Sequence, residues 1–214
     1  MRDIHCHILP GVDDGARDLE ESLDMLRAAQ AAGITSIVCT PHARKPFFDY
    51  RGMRRAFQIL CENADGFPLQ MGWEVNHAML MDLGIDWAKR LHFHESDEFL
   101  LELSSRSCSY HFKDYERTIF ELQGLGYQVI IAHPERVFAI QEDISLAQRL
   151  VEIGCKLQAS ADFISGGKGS GALSPAKKMF KKGLYTYISS DAHSVSDYND
   201  FMRTRKKFAK YLRA

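Results

Sequence analysis

The chain predicts an α/β fold in which seven parallel strands alternate with helices, most simply closed as a barrel. Three observations carry this. Short runs of Ile, Val, Leu and Tyr recur along the chain, and between them lie segments of helical length and period. Glycines stand where those segments end, at Gly33, Gly124, Gly126, Gly154 and Gly183. The first strand is not followed by the glycine-rich phosphate loop that a nucleotide-binding open sheet would need. A doubly wound open sheet is the alternative topology.

Taken in order, strand one is expected over about 2–7. A helix over about 18–32 carries Leu19, Leu23, Leu26, Ala29 and Ala32 near helical period. Residues 34–40 read as strand two, broken by Pro41. A helix around 51–64 leads to strand three at 69–75. After a polar excursion, 98–103 is strand four. Helix 114–124 precedes strand five at 128–133, helix 143–153 precedes strand six at 156–159, and helix 175–182 precedes strand seven at 185–191. A basic helix over about 197–212 follows.

With 214 residues, 45% hydrophobic and 26% charged, the expectation is one soluble domain spanning 1–214. A net charge of −1 gives no global reason to bind nucleic acid or an anionic membrane. No apolar run reaches the ~18 residues of a membrane span, and charges near the start argue against a secretory signal. Five cysteines without CxxC spacing read as reduced thiols, which suits the cytoplasm. The absence of a Cys-x5-Arg loop leaves a covalent thiolate mechanism unsupported, and Cys108 follows Arg106 in the wrong arrangement.

The chemistry starts at His5-Cys6-His7. Alternation along a strand puts both imidazoles on one face, ready to hold a divalent cation, and turns Cys6 into the core. Asp14 follows beyond the Pro10-Gly11 turn. His42, Glu74, Glu102 and His133, together with Asp191 and His193, fall at or just past C-terminal strand ends, which converge on one face of a parallel barrel. That many nitrogens and carboxylates suits two or three metal ions with carboxylate bridges. Each residue has a blander reading: His133 before Pro134 suits a capped core histidine, and Asp191 a turn. His92 and His94 read as surface or partly packed, while His77 and His111 could reach the rim of the site.

Together, His5-x-His7, Asp14 in Val12-Asp13-Asp14-Gly15, Pro41-His42, Glu74, Leu101-Glu102, Ala132-His133-Pro134-Glu135-Arg136 and Ser190-Asp191-Ala192-His193 resemble the PHP (polymerase and histidinol phosphatase) superfamily. The form HCHILPGVDDGA, with AHPER and SDAH, is similar in particular to bacterial tyrosine phosphatases of capsule and exopolysaccharide synthesis, the CpsB/YwqE type. The resemblance runs from residue 1 to about 195. It implies a distorted, TIM-like (β/α)7 barrel and three divalent metal ions, usually Mn2+, with Fe, Zn or Mg also seen. By motif, His5 and His7 would hold one ion, and Glu74 would bridge it to a second completed by Glu102 and His133. Asp14, His42 and His193 would take the third, with Asp191 also ligating. Arg136 matches the arginine that grips the substrate phosphate. The reactive set implied is Arg136, His42, Asp14 and His193, and the substrate is the phosphotyrosine tail of an autophosphorylating bacterial kinase. Another phosphoesterase of the superfamily (a histidinol-phosphate-type phosphatase or a nuclease) and a metal-binding regulatory module without turnover are the alternatives. Two departures stand out: Val137 replaces the usual aromatic after AHPER, and 21 residues follow His193 where relatives usually continue further.

The implied chemistry is in-line attack on phosphorus by a metal-held hydroxide, with Arg136 taking developing charge. Arginine suits that role because its planar fork meets two phosphate oxygens at once. Arg44, Lys45, Arg51, Arg54 and Arg55, interleaved with Phe47, Phe48 and Tyr50, are expected to form a basic, aromatic rim that binds an acidic phosphopeptide. The same patch is the best argument for a nuclease, against which the net charge speaks.

Overall fold

A computed structural model describes residues 1–166 and 171–212. Strand one shortens to β1 (Arg2–Asp3) plus a single parallel bridge between Cys6 and Ala192. Helix α1 (Leu19–Ala31) starts where the Asp18 carboxylate accepts the Glu21 N–H, and it buries Ser22, Met25, Leu26 and Ala29. Of the expected stripe, Leu26 and Ala29 are buried and Leu19, Leu23 and Ala32 pack partly buried against the core, with Ser22 and Met25 added to it. Strand two divides at Pro41, which has no N–H for a ladder, into β2 (Ser36–Cys39) and β3 (His42–Ala43). Helix α2 (Tyr50–Asn63) is capped by Asp49, whose side chain accepts from the N–H groups of Arg51 and Gly52.

Strand three also divides, into β4 (Leu69–Met71) and β5 (Glu74–Asn76). The break is at Gly72, where a Cβ would lie 2.5 Å from the Phe93 ring and 2.8 Å from Val38, so only glycine fits. The expected polar excursion is instead folded, with α3 (His77–Leu83) and α4 (Ala88–Leu91). Then come β6 (Glu98–Glu102), α5 (Phe112–Gly124), β7 (Gln128–Ala132), α6 (Phe138–Glu142), α7 (Ser145–Glu152), β8 (Lys156–Ser160), α8 (Leu173–Lys181), β9 (Tyr187–Ser189) and α9 (Asp197–Phe208).

All pairings are parallel. The order β1-β2-β4 forms one ladder and β3-β5-β6-β7-β8-β9 the other, so the two divided strands pass from the first ladder to the second. The curled sheet closes through the first strand: Asp191 N–H donates to the His5 carbonyl at 2.8 Å, His7 N–H to the Ala192 carbonyl at 2.9 Å, and Thr40 N–H to the Cys6 carbonyl at 3.0 Å.

Alternation sorts the side chains into layers. Phe99, Leu101, Val129, Ile131, Leu157 and Ala159 point outward and pack with the helices in the main core. Ile4, Val38, Phe93, Leu100, Ile130 and Ala132 form a separate apolar cluster. Glu98 shares its face of β6 with Leu100 and Glu102, and accepts from Arg2 and from the Tyr187 hydroxyl, each at 2.8 Å. At the opposite end of that face, Glu102 enters the site described next. Among the described residues no helix is long and apolar enough to cross a membrane.

Candidate metal centre

The imidazoles and carboxylates singled out above meet at the C-terminal end of the curled sheet. His5 and His7 follow β1, His42 opens β3, Glu74 opens β5, Glu102 ends β6, His133 follows β7, and Asp191 and His193 follow β9. Asp14 comes from the loop before α1. That loop is pinned by Gly15, where a Cβ would sit 1.9 Å from the His7 carbonyl oxygen. Cys6, between the two histidines, points away as alternation demands and sets its sulfur 3.1 Å from the Tyr198 hydroxyl.

Among the described residues four overlapping groups of potential ligand atoms arise: His7, Asp14, His42 and His193; His5, His7 and Glu74; His5, His133 and Asp191; and His42, Glu74 and Glu102. Between them they use every metal ligand expected from sequence. Glu74 is the most connected, 2.5 Å from His42 Nδ1, 2.6 Å from His133 Nε2 and 3.5 Å from both His5 and His7. Asp191 lies 3.4 Å from His5 and 3.3 Å from His7. The motif pairing of His133 with Glu102 differs from this grouping, which sets His133 with His5 and Asp191. His42 enters two groups through different ring nitrogens, and because a neutral imidazole offers one lone pair, it can serve only one of them at a time.

Do these residues suit cations? Buried His42 Nδ1 and Glu74 Oε2 face each other at 2.5 Å, and neither meets hydrogen-bond geometry with any described group. Orphaned polar atoms in a buried site are costly, and a shared cation satisfies both. The set of imidazole nitrogens with hard carboxylate oxygens suits divalent transition ions.

Electrostatics says the same. Burial works against charge at Glu74, but His42 and His5, with a hydrogen bond to His133, hold its carboxyl well below the usual range. Burial likewise opposes ionisation of Asp191, and Arg136 and His5 overcome it. Burial lowers His5, yet Asp191 and Glu74 lift it to about 9. His7 goes down, through burial and the neighbouring His193 and His42. Glu102 goes up, through burial and the nearby Glu74 charge. The cluster attracts positive charge strongly, and metal ions would compete with protons for the same lone pairs.

Several supporting residues were not singled out from sequence. Asp13 lies 2.8 Å from His7 Nδ1 and accepts the backbone N–H groups of His42 and Gly15. Gln158 Oε1, on β8, lies 3.0 Å from His5 Nδ1. Each accepts a ring N–H and so turns the other nitrogen, Nε2, toward the centre. The rule that a ligating histidine needs an orienting acceptor could have found Asp13 beside Asp14; Gln158 had no such signal. His133 (φ 30°) and Asp191 (φ 50°) both adopt left-handed backbone, a conformation costing about 1–3 kcal/mol and concentrated at functional sites.

Arg136 lines the cleft beside these groups. Its Nη2 lies 2.5 Å from Asp191, 2.8 Å from Ser160 Oγ and 2.9 Å from Asp162. Beneath it, Glu135 is fully buried and accepts from Ser160 N–H at 2.8 Å and Tyr185 O–H at 2.9 Å. Burial raises the Glu135 carboxyl. The cleft, about 260 Å³, is lined by Asp14, His42, Arg44, Glu102, His133, Arg136, Asp191 and His193, with Leu103 and Ser105.

The expected basic rim does not form as one surface. Arg44 lines the cleft, its Nη2 2.8 Å from His42 Nε2. Lys45 pairs with Asp82 at 3.0 Å, and Arg54 with the His94 ring at 3.0 Å. Arg51 and Arg55 are exposed on α2, and Arg55 borders a separate groove. The reason is helical period: Arg51, Arg54 and Arg55 occupy the side of α2 opposite the buried Met53, Ala56 and Leu60. His77 and His111 do not line the cleft either; His77 lies 2.9 Å from Thr118 Oγ1 and His111 Nδ1 accepts the Cys108 N–H. His92 and His94 are half-buried, as expected.

Comparison with known proteins agrees with this architecture. A family model described as capsular polysaccharide synthesis, CpsB/CapC, matches residues 1–210. The tyrosine-protein phosphatase YwqE of Bacillus subtilis is 34% identical over 208 residues, covering 93% of this chain and 80% of that protein. The tyrosine-protein phosphatase CpsB of Streptococcus pneumoniae is 25% identical over 214 residues, covering 95% and 87%. A crystal structure from work on YwqE and CpsB, described as unique metal-dependent tyrosine phosphatases, superposes with a TM-score of 0.82 at 31% identity over 97% of this chain and 87% of that one. With its curled parallel sheet, its ligand-bearing strand ends and these relatives, the chain belongs to the CpsB/CapC family of capsular polysaccharide synthesis.

Proposed function

We propose that this chain is a metal-dependent protein-tyrosine phosphatase, acting on a phosphotyrosine-bearing kinase of polysaccharide synthesis. The observation that carries the reading is a largely buried guanidinium, Arg136, set in a small cleft whose other charged residues, apart from the partly exposed Arg44, are potential metal ligands. A phosphate monoester dianion needs its charge neutralised and a nucleophile prepared. Three divalent ions, Mn2+ in this reading, would be held by His5, His7, Asp14, His42, Glu74, Glu102, His133, Asp191 and His193. When bound, they supply Lewis-acid neutralisation of the phosphate and a lowered pKa for the attacking water.

The chain's own residues do the rest. Asp13 and Gln158 keep His7 and His5 in the tautomers that present Nε2. Arg136 holds the phosphate and the charge that grows on its oxygens as the bond to the leaving group lengthens. Asp191, Asp162 and Ser160 fix that guanidinium in place through Nη2, and no partner among the described residues engages Nη1 or Nε. A phenolate leaving group has a pKa of about 10, so only partial proton assistance is required. Among the described residues, Lys45, Arg51, Arg54 and Arg55 do not line the cleft, so the basic stretch expected from sequence gives a polynucleotide no track into it.

The test is to strip the purified protein with a strong chelator, restore Mn2+, and follow phosphate release from phosphotyrosine and phosphoserine peptides. Turnover of the phosphotyrosine peptide should vanish on stripping and return with Mn2+, with the phosphoserine peptide at least tenfold slower. Undiminished turnover after exhaustive chelation, or equal rates on a single-stranded oligonucleotide, would overturn the proposal.

A further inference from the structure

The cleft is nearly all polar: Leu103 is the one large apolar residue in its lining, which leaves little to receive what surrounds a phosphotyrosine in a protein. A second concavity, about 500 Å³, lies alongside. Among the described residues it is lined by Pro10, Val12, Leu19, Phe47, Met53 and Ile59, with Arg55 and Asp49 as its charged groups. Asp49 is already committed, since it accepts the Arg51 and Gly52 N–H groups to cap α2. Arg55 is exposed and has no ion-pair partner among the described residues.

The two concavities share a wall. Phe47 lines the apolar groove while its ring stacks on His42, centroids 5.9 Å apart, and His42 lines the cleft. Val12 lines the groove two residues before Asp14, which lines the cleft. A chain leaving the cleft over Phe47 and the 12–14 loop therefore enters the groove within one to three residues, at ~3.3 Å per residue. We infer that this groove is a specificity subsite: it receives an apolar side chain flanking the phosphotyrosine of the protein substrate, and Arg55 meets an acidic residue just beyond. This rests on the phosphatase reading above, and it adds a preference that the metal centre alone cannot express. Burying a leucine-sized side chain in a groove open on one side should favour such a peptide about tenfold, the lower end of what full burial gives.

The experiment compares phosphotyrosine peptides in which a single leucine moves through positions −3 to +3 of a glycine-serine background, using the Mn2+-loaded protein. One position should raise kcat/KM about tenfold, mainly through KM, and should tighten binding of the matching non-hydrolysable phosphonate peptide by the same factor. In Ile59→Asp, at the exposed edge of the groove, that advantage should fall below twofold, while kcat/KM for p-nitrophenyl phosphate, too small to reach it, stays within twofold of the parent. Arg55→Glu should abolish the gain from an aspartate placed one residue beyond the leucine and leave the leucine gain in place. No favoured position in the parent, or a leucine advantage that survives Ile59→Asp, overturns the subsite while leaving phosphotyrosine hydrolysis standing. Failure to turn over free phosphotyrosine and p-nitrophenyl phosphate overturns both readings.

Discussion

The cleft has two walls, and they are built differently. The wall from β7, β8 and β9 carries His133, Arg136 and Asp191 with a second tier behind them. Glu135 receives Ser160 and Tyr185, Gln158 meets both the His5 ring and the His133 N–H, and buried Asp3 accepts the Ser190 N–H and hydroxyl immediately before Asp191. Burial raises that Asp3 carboxyl to about 6, a cost tolerated to hold the turn. The opposite wall, the 12–15 loop with β3, is thinner. Asp14 is 43% exposed at its side chain and Arg44 35%; the buried carboxylate of Asp13 ties the backbone of this wall, accepting the His42 and Gly15 N–H groups, rather than holding either of those side chains. A tiered wall preorganises charge, which matters most where charge develops in a transition state. A single-layer wall adapts, which suits entry of a substrate. One guanidinium on each wall makes the contrast measurable.

The largest expected difference is at Arg136. Arg136→Ala should retain its metals, yet lose about 10²–10³ in kcat/KM, the usual cost of one preorganised charge contact. Arg136→Lys should recover only part, because a point charge cannot make two parallel hydrogen bonds to phosphate. Metal analysis beside steady-state kinetics checks this. A loss smaller than about fivefold, with metals intact, would remove the distinction between the walls.

One tier back, Asp162→Asn should show whether anchoring matters. Asp162 touches Arg136 at 2.9 Å and accepts the Ser160 hydroxyl at 2.6 Å. Asp191 and Ser160 still hold Nη2 in the variant, so only part of a charge-assisted contact is lost. The expected cost is about tenfold in kcat, with KM nearly unchanged and Asp162→Glu recovering some of it. A variant whose only defect is a lowered melting temperature would make Asp162 a folding residue instead.

The tiered wall was also the less legible of the two in sequence. The strand positions, the longer helices and the convergence of the ligand-type residues could be read, because strand period and glycine stops are local and strand ends in a parallel barrel converge by topology, whereas the short α3 and α4 in the polar excursion could not. Pro41 announced its break in strand two, whereas the break at Gly72 depends on the distant Phe93 and Val38, and the left-handed backbone at His133 and Asp191 on tertiary closure. Glu135, Gln158 and Asp162 gain their roles from partners up to 153 residues away, so spacing carried no trace of them. The basic stretch erred the other way. Its charges are adjacent in sequence, but α2 fans Arg51, Arg54 and Arg55 onto its solvent side and leaves Arg44, ahead of the helix, at the cleft.

Arg44 therefore gives the smallest and most discriminating test. Its guanidinium reaches His42 Nε2 at 2.8 Å and Asp14 at 3.7 Å, but it is over a third exposed, so solvent and salt screen its charge. It also sits over the Phe47 ring at 5.7 Å, on the route from the cleft toward the apolar groove. A screened charge on an adaptable wall attracts a dianion on approach but contributes little that is specific to the transition state. Arg44→Ala should accordingly raise KM about threefold with kcat almost unchanged, and the difference from the parent should shrink when ionic strength rises from 0.05 to 0.5 M. Arg136→Ala should keep its deficit across the same range, because a buried contact is screened far less. If instead Arg44→Ala lowered kcat by tenfold or more at high salt, the thin wall would be shaping the transition state as strongly as the tiered one, and the contrast between them would fail.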